Sequence, residues 1–239
     1  MENHTPEAKF WFNILDAALK IPGAKIDREV FLQKTFEKYC NQETIDKVME
    51  VGTFEAGIEI TLMDRIANDS INQHTKIATT TSFIAGIPGG LVMAATIPAD
   101  VVQFYYHVIA EAQKLAYIFG VQTLNDAEDN FKEVLTVYIG VMAGIGDAEN
   151  TLNDIMNDQF SKNLTRVTLG KILDKTLIRI ANTIGIQLTK KSIGRGIAKI
   201  IPIIGGIISG GMTLFSYYPM CNNLKRKFYD IVNLKKVTK

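Results

Sequence analysis

Two long stretches of this chain carry no charge, and they limit what it can fold into more than any other feature. Residues 77–99 form one run of 23 and residues 200–224 another of 25. Each is long enough to cross a bilayer on length alone. Their composition argues otherwise. The first holds Thr79, Thr80, Thr81 and Ser82 and is cut by Pro88 and Pro98, and the second is cut by Pro202 and Pro219. Neither therefore offers twenty continuous, strongly apolar helical residues. Basic residues flank the second run on both sides, so no single orientation across a membrane is favoured.

The two runs share small residues four apart. Ser82, Gly86, Gly90 and Ala94 form one series, and Gly206 with Gly210 another, reinforced by Gly205 and Gly211. This spacing lets helix backbones approach closely, inside membranes and in tightly packed helical pairs alike. Pro88-Gly89-Gly90 interrupts the first series, which predicts two short helical arms, 79–87 and 91–97, about a tight corner. The corner residues Gly86, Pro88, Gly89, Gly90, Pro98, Pro202, Gly205, Gly206 and Gly210 are the candidates for contact with a membrane or a ligand.

The rest of the chain reads as helix. Apolar residues at 101, 105, 108, 112, 115 and 119 line one helical face, and Gly120 supplies a stop. Thr96 is the expected N-cap of that helix, with Pro98 in its first turn and Asp100 placed favourably for the dipole. Similar patterns run over about 7–20, 28–40, 43–68, 126–138 and 165–184, with Asp27 and Asn125 as caps. No apolar-polar alternation between hairpin turns appears, which excludes a sheet. The expectation is an all-α protein: one multi-helix bundle with two glycine-rich apolar hairpins. At 239 residues and 47% hydrophobic content it can bury one substantial core. Residues 1–40 are expected to pack on that core as N-terminal helices.

The net charge of +1 hides an asymmetry. From residue 186 onward ten basic residues face one acid, Asp230, for +9; residues 1–185 hold 16 basic residues and 24 acids, for −8. A basic end on an acidic chain suits an anionic surface. Lys190, Lys191, Arg195, Lys199, Lys225, Arg226 and Lys227 are the candidate contacts to anionic lipid. The competing explanation is that the two halves neutralise each other within the fold. Nucleic acid fits less well, because these bases flank an apolar glycine-rich stretch instead of interleaving with aromatics. The lone thiols Cys40 and Cys221, and a start without the charged-then-apolar pattern of a secretion signal, point to a reducing cytoplasm.

Catalytic signatures are scarce. "HVIAE" lacks the second histidine and adjacent glutamate of a zinc protease, "GIISGG" does not frame Ser209 as a nucleophile, and "LGKILDK" lacks the spacing of a phosphate loop. Three histidines and two dispersed cysteines give no metal-site spacing, and no cofactor is implied. If the chain is an enzyme, its candidates are Asp100, His107 and Glu111, at offsets 0, 7 and 11 on one helical face. The plainer expectation, favoured for His107 and Glu111, is a solvated stripe continued by Lys114, with Glu111 pairing to Lys114.

Residues 85–120, "AGIPGGLVMAATIPADVVQFYYHVIAEAQKLAYIFG", resemble the central signature of the bacterial EcsC family: a Pro-Gly-Gly corner, a Pro-Ala-Asp and a helix ending in aromatic-glycine. "IAKIIPIIGGIISGG", 197–211, resembles that family's second glycine-rich element. Phe119 stands where tyrosine is more typical, so no role for a hydroxyl there carries over. The resemblance implies a family domain over roughly 40–235, a cytoplasmic location at the inner face of the cell membrane, and association with an ABC-type exporter. It implies no known reaction, and it lets Asp100 cap or brace the corner at Pro88. The reading is a non-enzymatic peripheral membrane protein that binds anionic lipid or an integral membrane transporter. The alternatives are a pocket around Asp100 and His107 that binds or hydrolyses a lipid-like ligand, and, more weakly, a protein that permeabilises the bilayer.

Overall fold

The computed structural model describes residues 5–80, 97, 99–121, 130–193 and 210–237, with all their side chains except those of 76–80, 100, 190–193 and 210–215. These residues form ten helices and no strand: α1 (Pro6–Leu19), α2 (Arg28–Phe36), α3 (Gln42–Glu55), α4 (Ile60–Thr80), α5 (Ala99–Ile118), α6 (Phe131–Met142), α7 (Gly146–Phe160), α8 (Arg166–Asp174), α9 (Leu177–Ile193) and α10 (Gly210–Val237).

Several boundaries follow from side chains legible in the sequence. Asp27 caps α2 by accepting from the Val30 amide, and Thr5 and Asn41 cap α1 and α3 in the same way. Gly120, at φ +86°, ends α5: its amide bonds the Tyr117 carbonyl and the Val121 amide bonds that of Ala116. Other expectations need correction. The helix expected over 43–68 is two, α3 and α4, because Gly57 adopts φ +82° between them, and α3 is itself kinked at Gly52, also at φ +82°. The one expected over 165–184 is also two, α8 and α9. Helix α7 was not anticipated. Pro219 does not end a helix but lies inside α10, exposed, while Tyr217, Cys221, Leu224 and Phe228 bury the opposite face and hold the helix together around it. The helix expected over 126–138 with Asn125 as cap is α6, which starts at Phe131 with Asn130 at its N-cap position, and Thr96, Asn125 and the corner of both hairpin arms lie outside the described residues.

The core is built around α5 and α6. The face of α5 read from the sequence is buried, from Val101 through Tyr105, Val108, Ala112 and Leu115 to Phe119. Helix α6 is buried at every residue from Val134 to Met142. In that stretch Thr136 accepts from the Trp11 indole at 3.0 Å and donates to the Lys132 carbonyl at 2.8 Å, so α1 joins the same core. Gly140 lets α7 and α9 close on α6: a Cβ there would stand 2.6 Å from the Ala148 Cβ and 2.8 Å from the Ile180 Cγ2.

Helix directions follow from the contacts. Thr53, at the end of α3, donates to the Ile118 carbonyl at 2.9 Å, while His74, near the end of α4, meets His107 in the first half of α5. Helices α4 and α5 therefore run antiparallel. Lys236 donates to the Ile58 carbonyl, Lys225 bonds Asp64, and Tyr217 stacks on His74 at 5.9 Å between ring centroids. Helix α10 thus also runs antiparallel to α4. The last turn of α4 and the first turns of α5 and α10 lie together at one end of the bundle.

Candidate functional site

Just inside that end, α4, α5 and α10 enclose a group of ionisable side chains. His74 comes from α4, His107, Glu111 and Lys114 from α5, and Tyr217 and Cys221 from α10. Positions 60, 63, 67, 71 and 74 form the inward stripe of α4, so His74 occupies an apolar face. His107 is 2% exposed and Glu111 is 0%. This corrects the expected solvated stripe, since α4 and α10 cover the face it was read on. The Glu111 and Lys114 pairing is present, with the ammonium 3.7 Å from Oε2.

The contacts fix which nitrogen carries each proton. The Lys114 ammonium lies 2.8 Å from His74 Nδ1 and can only donate, so Nδ1 accepts and the His74 proton sits on Nε2. His74 Nε2, 3.0 Å from His107 Nδ1, then donates to it, which leaves the His107 proton on its own Nε2. The result is a one-way chain, Lys114 to His74 to His107, that ties α5 to α4 and back. Neither Glu111 oxygen has a hydrogen-bond partner of ordinary length among the described residues. The Lys114 ammonium stands 3.7 Å from Oε2, close enough to offset its charge, while His74 Nδ1, at the same distance, is an unprotonated acceptor.

Burial, with the Lys114 charge and His107 added, drives the His74 pKa down to about 3, and burial and Lys114 drive that of His107 down to about 4. Both imidazoles are therefore neutral at pH 7. Burial raises the Glu111 pKa, opposed by Lys114 and the Ser70 hydroxyl. It also raises the Tyr217 phenol and the Cys221 thiol, with Glu111 adding to both, so Cys221 is an inert thiol. At neutral pH the site holds two neutral imidazoles beside the Lys114 ammonium and a Glu111 carboxyl whose pKa burial raises. No group of three or more His, Cys, Asp or Glu able to hold a metal ion occurs among the described residues, and Lys114 already supplies the positive charge between His74 and Glu111.

The remaining sequence candidates divide by location. Asp100 lies in the first turn of α5, its side chain outside the described set, and Gly210 opens α10. Gly86, Pro88, Gly89, Gly90, Pro98, Pro202, Gly205, Gly206, Arg195 and Lys199 lie outside the described residues, as do the side chains of Lys190 and Lys191 in the last turn of α9. Lys225 is engaged internally, 2.8 Å from both Asp64 and Asn68, and Lys227 stands 3.6 Å from Glu149. Arg226 is exposed and reaches Asn223 on its own helix. Sequence reasoning missed His74 and Tyr217. The signal for His74 was available, a polar residue on an otherwise apolar stripe. None existed for Tyr217, whose aromatic ring fits an apolar face without comment.

No helix among the described residues is long and apolar enough to cross a membrane. No protein-family model matches the chain, and no curated protein or solved structure proves similar to it.

Proposed function

We propose that this chain is an EcsC-like, non-enzymatic protein that docks on an anionic membrane surface, or on a transporter within it, through the end of the bundle where α4 stops and α5 and α10 start. The observation that carries this reading is the shared location of those three helix ends. Helix α4 ends there at Thr80, α5 starts there at Ala99 and α10 starts there at Gly210, so each uncharged run has a described helix end at this face, while Tyr217, Met220, Cys221 and Leu224 of the second run are buried in the core. Lys190, Lys191, Arg195 and Lys199 flank the second run and are the contacts assigned to anionic lipid, each worth about 1 kcal/mol near such a surface. Lys225 and Lys227 serve the fold instead. They sit about 22 and about 25 Å along α10 from Gly210, at 1.5 Å per residue, and have carboxylate partners.

The buried histidine, glutamate and lysine group supports a structural over a catalytic role. A general acid or base must reach its substrate, whereas His107 and Glu111 are 2% and 0% exposed beneath α4 and α10. Sedimentation with neutral and anionic liposomes, followed by high-salt and alkaline-carbonate washes, tests the reading. Binding to anionic vesicles that salt removes marks surface attachment; resistance to both washes marks insertion of the uncharged runs. Absence of binding to either vesicle refutes the membrane role.

A further inference from the structure

A different site lies at the opposite end of the bundle, in a cavity of about 470 Å³ between the ends of α3, α5 and α7. That volume falls within the range of small-molecule sites. Val51, Phe54, Phe160 and Leu164 supply its apolar wall, the two phenylalanine rings tilted against each other at 4.6 Å. The cavity is open to solvent, and Lys47 and Lys162 supply two positive groups and Glu50 and Glu55 two negative ones, all four exposed.

Lys162 sets this cavity apart. Helices α3, α5, α6 and α7 all end in the same pair of bonds, an amide to the third carbonyl back and the next amide to the fifth. The residue that closes this motif must adopt positive φ. In three of the four it is glycine: Gly57, Gly120 and Gly144. In α7 it is Lys162, at φ +58°, the sole non-glycine with positive φ among the described residues. A side chain with a Cβ is disfavoured in that conformation, and glycine would close the motif without strain. Lys162 is exposed and is one of the residues that line the cavity. Such outliers point to a role for the side chain itself.

We propose that this cavity binds a small zwitterion with an apolar body, of the α-amino-acid class, with Lys162 and Lys47 meeting its carboxylate, Glu50 and Glu55 its ammonium, and Phe54 and Phe160 its side chain. A purely anionic ligand would face the two glutamates, and a purely cationic one the two lysines. The converging carboxyl ends of three helices add negative potential, which suits the ammonium and makes the lysines necessary for the carboxylate. Gln159 braces the site by donating to the Gly120 carbonyl at 2.9 Å.

Isothermal titration of the full chain with L-phenylalanine and L-leucine tests this, with 3-phenylpropanoate and 2-phenylethylamine as analogues lacking one charge each. The expected result is saturable binding of an amino acid, with both analogues about tenfold or more weaker. Lys162→Gly is expected to raise Tm by about 1–3 °C through relief of the strain, yet to weaken binding about tenfold or more. Lys162→Met, which keeps the strain and removes the charge, is expected to lose binding as well, and Lys162→Arg to retain it. No saturable binding of either amino acid, equal binding of an analogue with one charge, or undiminished affinity in Lys162→Gly overturns the proposal.

Discussion

At the scale of single residues, the most consequential are His74, His107 and Glu111, because each is ionisable and out of reach of water. Both imidazoles titrate well below the ordinary 6.5 in the folded chain, at about 3 and about 4. As pH falls through 6.5 the unfolded chain takes up protons that the folded chain refuses, so stability declines, by up to about 1.4 kcal/mol per pH unit for each imidazole. Glu111 acts in the opposite sense. Its raised pKa means the unfolded carboxyl ionises first, so this group erodes stability as pH rises from about 4.5. Two imidazoles outweigh one carboxyl, and urea-unfolding stability is expected to fall between pH 6.5 and pH 4.5, with His74→Gln and His107→Gln each flattening the slope. An equal slope in both variants and the parent would remove these residues from the explanation. Glu111→Gln holds this side chain neutral at every pH, so it is expected to remove the opposing contribution and make the loss of stability between pH 6.5 and pH 4.5 steeper than in the parent.

At the scale of helices, close packing depends on two glycines whose roles the sequence does not advertise. Gly140 admits α7 and α9 to α6, and Gly185 brings α9 so near the start of α1 that an added Cβ would collide with the Glu7 backbone. Gly140→Ala and Gly185→Ala are each expected to destabilise the fold by about 1–3 kcal/mol or more, since a carbonyl or a packed methyl has nowhere to go. Gly170 is the control: it lies inside α8 with nothing within 4 Å of its missing Cβ, and Gly170→Ala is expected to stabilise by about 0.5–1 kcal/mol. Circular-dichroism melts of the three variants decide the matter. Helix ends were legible where a capping side chain announces them, as at Asp27, or where glycine follows an apolar stripe, as at Gly120. Breaks inside the long periodic stretches were not. Gly52 and Gly57, both at φ +82°, interrupt 43–68, the first as a kink inside α3 and the second just past its end, and periodicity alone does not separate such glycines from ones that continue a helix. Pro219 misled in the other direction, because the buried face of α10 outweighs one missing amide bond.

At the scale of the whole molecule, the contrast between an acidic first part and a basic end resolves into two populations of charge. The sequence shows the imbalance but not which lysines spend their charge inside the fold, because pairing partners such as Asp64 and Lys225 lie far apart in the chain and meet only when α4 and α10 align antiparallel. The buried site was half legible for the same kind of reason: His107 and Glu111 share one helix and their spacing exposes them, while His74 and Tyr217 join them only through packing. The division of charge has a measurable consequence. Reversing Lys190, Lys191, Arg195 and Lys199 together to Glu is expected to abolish co-sedimentation with anionic vesicles, since four contacts of about 1 kcal/mol each become repulsions, and to leave the melting temperature of the free protein little changed. Lys225→Gln is expected to behave in the reverse manner. It removes the bonds to Asp64 and Asn68 on α4 and lowers the melting temperature, while vesicle binding at a temperature where the variant is folded stays near that of the parent. If Lys225→Gln instead weakens vesicle binding as strongly as the four-residue reversal, the membrane face extends along α10, and the end of the bundle at Gly210 loses its special standing.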